Sequence, residues 1–221
     1  MSNLSYNNKF IYHGNSFLYN LPGMDKSYNV IRCEYIIGTS PSINDTSLQY
    51  RCRQISTNPN IWDVYKVDGD EHTWNSLFAG DTNLLSVIDA YIPDVTKIED
   101  TFAGCTYLKK VNIPNNRIEL WGNTFDGAIN LTTVNIDTSS GTLFQRMFAN
   151  TAIKVIPDID VSNANNVVNM FRNCTEVEDG ITAMYNKLSQ VSPAHNECFY
   201  NCGINTPTGR EQLAQIPDDW K

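Results

Sequence analysis

The 221-residue chain is 41% hydrophobic and 18% charged, enough apolar material to bury one sizeable core or two small ones, and this composition excludes global disorder. Its 16 Lys and Arg against 24 Asp and Glu leave a net charge of −8 with no basic stripe, which excludes nucleic acid as a partner. No apolar run approaches the roughly 20 residues that span a bilayer, and no basic segment followed by an apolar one opens the chain, so neither membrane insertion nor a secretory leader is expected.

The first seventy residues read as β-rich. Phe10–Tyr12 and Ser16–Tyr19 flank His13-Gly14-Asn15 as the arms of a hairpin. Val30–Ile37, Leu48–Ile55 and Ile61–Lys66 follow as strands bounded by Gly, Pro, Asn and Ser. Residues 1–73 are therefore expected to form a small attachment and capping region. Tyr35, Tyr50, Arg51 and Arg53 read as exposed there, and residues of these types suit interfaces, which makes them the N-terminal interface candidates.

Beyond the acidic stretch Val67–His72 the chain repeats itself. Phe78, Phe102, Phe125, Phe148 and Phe171 fall 24, 23, 23 and 23 residues apart, and Phe199 follows after 28. Leu84, Leu108, Leu131 and Val177 stand six residues after their aromatics, with Ile153 one residue early, and Val87, Val111 and Val134 come three further on. Leu108-Lys-Lys-Val111-Asn-Ile113 and Leu131-Thr-Thr-Val134-Asn-Ile136 have the Leu-x-x-Leu-x-Leu spacing of a leucine-rich repeat. The steps Val167, Met170, Phe171 and Leu143, Met147, Phe148 are helix-like, so each coil is predicted to pair a short strand with a helical turn. Two residues after each aromatic comes Gly80, Gly104, Gly127, Asn150, Asn173 or Asn201, the types that tolerate positive φ. One further on, Asp81, Cys105, Ala128, Thr151, Cys174 and Cys202 mark a place for a small buried residue.

One coil cannot bury its apolar side alone, so the coils must stack. The fold predicted is an α/β repeat, a right-handed leucine-rich-repeat-like solenoid of about five coils with short parallel strands over residues 74–202, preceded by the small β-rich region. In the step from Phe171 to Phe199, Ile181, Met184, Tyr185 and Leu188 predict an inserted amphipathic helix. Thr208 and Glu211 have the spacing of a capping box, so a closing helix is expected in residues 203–221, covering the last coil.

These units resemble the BspA-type leucine-rich repeats of bacterial surface proteins, which read roughly Asn-Val-x-x-Met-Phe-x-x-Cys-x-x-Leu. Residues 160–177, with Asn166-Val-Val-Asn-Met170-Phe171-Arg-Asn-Cys174-Thr-Glu-Val177, carry the match, and Phe102–Leu108 and Phe148–Ile153 carry it less completely. The resemblance covers about residues 74–202. It implies a surface or adhesive role and binding, without naming a ligand.

Sites for chemistry are scarce. No Gly-x-Ser-x-Gly, His-Glu-x-x-His, P-loop or dinucleotide fingerprint occurs, and histidine appears only at His13, His72 and His195. His195, Cys198 and Cys202 stand at steps of three and four and would hold zinc if a fourth ligand approached, but the repeat already assigns Cys202 to the core. Asp68, Asp70 and Glu71 lack the ligand alternation of a calcium loop and read as a solvated turn. Neither metal nor cofactor is expected. Cys33 and Cys52 lie on what read as neighbouring strands, close enough for a bridge, although free thiols are favoured. Trp62, Trp121 and Trp220 read as core or cap first and as binding hot spots second.

The solvent-facing strand positions are the binding candidates: Ser86 and Ile88, Lys110 and Asn112, Thr133 and Asn135. The function expected is non-enzymatic, a platform docking with protein partners, copies of itself among them, in a virion or cell-surface assembly reached from the cytoplasm. A free-standing adhesin or ligand-binding module is the alternative, and a hydrolase with an unrecognised site the third.

Overall fold

The computed structural model describes residues 11–13, 16–18, 29–44, 50–66 and 72–221. Among them β1 (Ile11–His13) and β2 (Ser16–Leu18) form an antiparallel pair. A second, mixed sheet contains β3 (Val30–Tyr35), β4 (Tyr50–Thr57), β5 (Asn60–Lys66), β6 (Leu84–Tyr91), β7 (Lys110–Ile113) and β8 (Thr133–Ile136), in the order β4-β5-β3-β6-β7-β8. Two helices follow, α1 (Ile181–Val191) and α2 (Pro207–Ala214).

Strand β3 is antiparallel to both β5 and β6, whereas β6, β7 and β8 are parallel because each opens a repeat of the same direction. One sheet therefore runs unbroken from the N-terminal strands into the repeats. Ile31, Cys33, Tyr35 and Val64 enter the same core as Leu84, Val87, Val111 and Ile113.

Strand structure does not recur in every repeat as the spacing predicts. After β8, Ile153 arrives one residue early and Pro157 offers no donor to a ladder, and residues 154–156 bridge forward to Asp179 without forming a strand. The helical turns expected before each aromatic are also different. They are tight i to i+3 turns, such as Ala79 N–H to the Ser76 carbonyl and Asp81 N–H to the Phe78 carbonyl, with positive φ two residues before and two after the aromatic. The left-handed residues before it are Ser76, Asp100, Asn123, Arg146, Asn169 and Glu197.

This geometry releases every second N–H to point along the stack. Trp74, Ser76, Phe78 and Gly80 donate to the carbonyls of Lys97, Glu99, Thr101 and Ala103 at 2.7–2.9 Å. The next repeats do the same, down to Val167, Asn169, Phe171 and Asn173 donating to Ala194, Asn196, Cys198 and Tyr200. The aromatics stack in consequence. Ring centroids from Phe78 to Phe199 are 5.4, 5.8, 5.5, 5.6 and 5.6 Å apart, and all six rings are fully buried. Burying each side chain stabilises the stack by roughly 1.5–3 kcal/mol before cavity effects are counted.

The ends are closed differently from the sequence expectation. At the N-terminal end Asn44 donates its backbone N–H to the Leu77 carbonyl and its Nδ2 to the carbonyls of Ser76 and Ala79, while Lys66 Nζ reaches the Thr73 carbonyl at 3.0 Å. At the other end α2 does not cover the whole last repeat. Its start packs on the strand side, where a Cβ at Gly209 would lie 2.4 Å from the Val177 carbonyl, and Gln212 Oε1 accepts from the Ile181 and Thr182 N–H groups that open α1. Trp220 covers the aromatic side instead, stacked on His195 at 3.9 Å and over Phe199 at 6.4 Å.

Candidate functional site

Parallel pairing of β6, β7 and β8 brings the six strand-face candidates into two rows. Register places Ser86 beside Lys110 and Lys110 beside Thr133. In the second row Asn112 Nδ2 donates to the Ile88 carbonyl at 3.1 Å, and Asn135 Nδ2 donates to Asn112 Oδ1 at 2.7 Å. Lys110, Thr133 and Asn135 are exposed, Ile88 is 38% exposed and Asn112 is half-buried. Ser86 is covered, and its hydroxyl donates to Glu34 Oε2 at 3.1 Å.

That last bond shows what sequence reasoning missed. Because β3 inserts between β5 and β6, Glu34 joins the first row, and Arg53, Asp63, Arg32 and Asp89 form a further row of alternating charge across β4, β5, β3 and β6. Asp63 is buried and held by Arg32 at 2.7 Å and Arg53 at 3.3 Å. Burial raises the Asp89 carboxyl above its usual range. No local signal announces these rows, since they depend on a long-range crossover.

The N-terminal candidates separate. Tyr35, read as exposed, is buried on the core face of β3, where its phenol is pushed up chiefly by burial. The alternation of β3 puts it on the side of Ile31 and Cys33, which the local pattern Cys-Glu-Tyr-Ile-Ile left ambiguous. Tyr50 is half-buried with its ring edge against Trp74, Arg53 is tied to Asp63, and Arg51 is exposed on the edge strand β4.

Cys198 and Cys202 are buried, and burial pushes both thiols up, against the thiolate form that zinc requires. His195 points elsewhere, with Nδ1 at 2.8 Å from the Pro193 carbonyl and Nε2 at 3.3 Å from Asp219. Among the described residues no group of three His, Cys, Asp or Glu could hold a metal ion. Asp68, Asp70 and Glu71 lie outside the described residues. Strand β5 stands between Cys33 and Cys52, so these are not neighbours, and no disulfide joins them. Trp121 and Trp220 are buried and Trp62 is half-buried. Cys105 and Cys174 do more than fill space: their thiols donate to the Phe78 and Phe148 carbonyls at 3.0 and 2.9 Å.

An open groove of about 420 Å³ runs between residues 158–162 and α1, where Lys187 Nζ is already neutralised by Asp158 at 2.5 Å. No helix among the described residues is long and apolar enough to cross a membrane.

A family model described as BspA type leucine rich repeat region matches in six copies over residues 96–220, more than half of the chain. No curated protein and no solved structure matches. The match starts after Trp74–Val95, although those residues share the same ladder, and it ends on Trp220, whose carbonyl takes the place of a next repeat's by accepting the Phe199 N–H at 2.8 Å. The chain belongs to the BspA-type leucine-rich repeat family, a family of protein-interaction and surface repeats.

Proposed function

We propose that this protein is a non-enzymatic docking platform, a solenoid of about five coils whose outer sheet face binds a protein partner within a virion or cell-surface assembly. The observation that carries the reading is the alignment of Ser86, Lys110 and Thr133, and of Ile88, Asn112 and Asn135, into rows on three parallel strands. The hydrogen bonds from Asn135 to Asn112 and from Asn112 to the Ile88 carbonyl fix the amides in place, so a partner meets a surface already ordered and loses little side-chain entropy on binding. Ile88 supplies an apolar contact amid donors and acceptors, the composition of an interface core with a polar rim.

Residues 1–73 serve in this reading as cap and attachment region, 74–202 as platform and 203–221 as closure. The attachment surface is the β4 side of the sheet, the outermost strand among the described residues, where Arg51 and Ile55 are exposed and a strand from a partner is the occupant expected. A second copy of the chain is one candidate for that strand.

The test is capture by the native particle or cell envelope. A Lys110→Ala, Asn112→Ala, Asn135→Ala triple variant should lose at least tenfold in affinity, as loss of a few interface contacts of about 1 kcal/mol each would produce. An Arg51→Glu, Ile55→Lys variant should release attachment or self-association. Unchanged capture by the triple variant, with its fold confirmed by circular dichroism, would sink the sheet-face reading. Binding of an isolated glycan instead would favour the adhesin.

A further inference from the structure

The donor ladder that joins the repeats is left incomplete at its C-terminal end. Phe199 N–H finds the Trp220 carbonyl at 2.8 Å, but among the described residues the N–H groups of His195, Glu197 and Asn201 have no acceptor. A side-chain ladder ends at the same place. Asn150 Nδ2 donates to Asp126 Oδ1 at 2.7 Å, Asn173 Nδ2 to Asn150 Oδ1 at 3.0 Å and Asn201 Nδ2 to Asn173 Oδ1 at 3.1 Å, and no described residue donates to Asn201 Oδ1. Asn201 thus presents a backbone donor and a side-chain acceptor together. Tyr200 and Ile204, 37% and 36% exposed, flank it as apolar contacts.

The preceding junctions show what fills such a pair. Asn150 N–H is taken by the Arg172 carbonyl while Asn150 Oδ1 receives Nδ2 of Asn173. Asn173 N–H is taken by the Tyr200 carbonyl while Asn173 Oδ1 receives Nδ2 of Asn201. In both cases the occupant is one residue's carbonyl followed by an asparagine side chain. We infer that the Asn201 end is a docking surface for an extended segment of a partner protein carrying such an X-Asn pair, with Tyr200 and Ile204 gripping its flanks.

A second copy of this chain is the wrong occupant on two counts. Its own acceptor end is already covered, with the Leu77 and Ala79 carbonyls bonded to Asn44 and the Thr73 carbonyl to Lys66. Two C-terminal ends placed together would set donors against donors.

The experiment uses the full chain, isotopically labelled, and a synthetic peptide with the sequence of residues 144–151, Phe-Gln-Arg-Met-Phe-Ala-Asn-Thr, which carries one X-Asn pair. Titration should move the Asn201 backbone amide resonance saturably. A peptide with Ala in place of its Asn should bind about 2–10-fold more weakly, the range for one hydrogen bond, and so should Asn201→Gly, which keeps the positive φ. No movement at Asn201, or equal binding by the two peptides, overturns the proposal. So does movement of that amide on raising the concentration of the chain alone, which would make the occupant a second copy. Protection of the Asn201 amide from hydrogen exchange in the free chain would show that the chain fills the position itself, and overturns it equally. Shifts confined to Asn112 and Asn135 would place the peptide on the sheet face and leave this end without a ligand.

Discussion

At the scale of the residue, the sequence is most legible where one atom-level demand admits few side chains. Positive φ two residues after each aromatic excludes most L residues, so Gly80, Gly104, Gly127, Asn150, Asn173 and Asn201 announce it. The equally left-handed position two residues before the aromatic holds Ser76, Asp100, Asn123, Arg146, Asn169 and Glu197, of which only three are Asn or Asp, and the turn was not read from so mixed a set. Arg146 is held there by its guanidinium bonds to Asp126 at 2.9 and 2.6 Å. The cysteines were half legible: their smallness showed, their donation to a neighbouring carbonyl did not. Burial raises Cys174 to about 11 and Cys105 to about 12, against 9.0 for an ordinary thiol. Between pH 9 and 11 the unfolded chain therefore releases protons that the fold retains, and stability must fall as pH rises through that window. The urea midpoint should drop from pH 8.5 to pH 10.5, and the drop should be smaller in Cys174→Ala. An identical pH slope in the two proteins would count against a protonated, buried thiol at this place.

Elements were read well where a pattern ran uninterrupted and poorly where a single residue decided the outcome. The insertion helix was legible because Ile181, Met184 and Leu188 lie on one face, and all three are buried. The start of α2 was misplaced. Thr208 and Glu211 suggested the cap, but Pro207 has no N–H to satisfy and is suited to the first helical position, which moves the cap back to Thr206. The Thr206 hydroxyl accepts from Gly209 N–H at 3.0 Å and donates to the Val177 carbonyl at 2.6 Å, tying the helix to the last repeat. Thr206→Ala should cost about 1–2 kcal/mol in chemical denaturation, and Thr208→Ala should stay within about 0.5 kcal/mol because its side chain is exposed. Equal losses in the two variants would return the cap to Thr208. The strands after β8 failed for a similarly local reason, one residue missing after Phe148 and a proline at 157.

For the molecule as a whole, the repeat was legible and its joining to the N-terminal strands was not. Periodicity is a property of a segment, whereas the insertion of β3 between β5 and β6 is a pairing of distant segments that leaves no local trace. Ser86 is more covered than the pattern suggested for the same reason, since Glu34 of β3 lies beside it, whereas Asn112 is half-buried between Ile88 and Asn135 of its own repeat strands. Removal of residues 1–73 should accordingly lower the thermal midpoint and broaden the transition, because it strips Ile31, Cys33 and Tyr35 from the core and Asn44 from the first repeat's carbonyls. A truncated chain that melts as sharply and as high as the full one would show that the repeats stand alone. The direction of the backbone ladder has a further effect. Each repeat aligns peptide dipoles with N–H toward the next, so along its aromatic side the stack carries a macrodipole whose positive pole is at the C-terminal end, the reverse of an α-helix. The charges at the two poles sit with that field, the Lys66 ammonium on the carbonyl end and the Asp219 carboxylate beside His195 on the amide end. Lengthening the stack by whole repeats would move these poles apart without changing their sign, so a longer relative built on the same ladder would still attract anions at the end where its chain finishes.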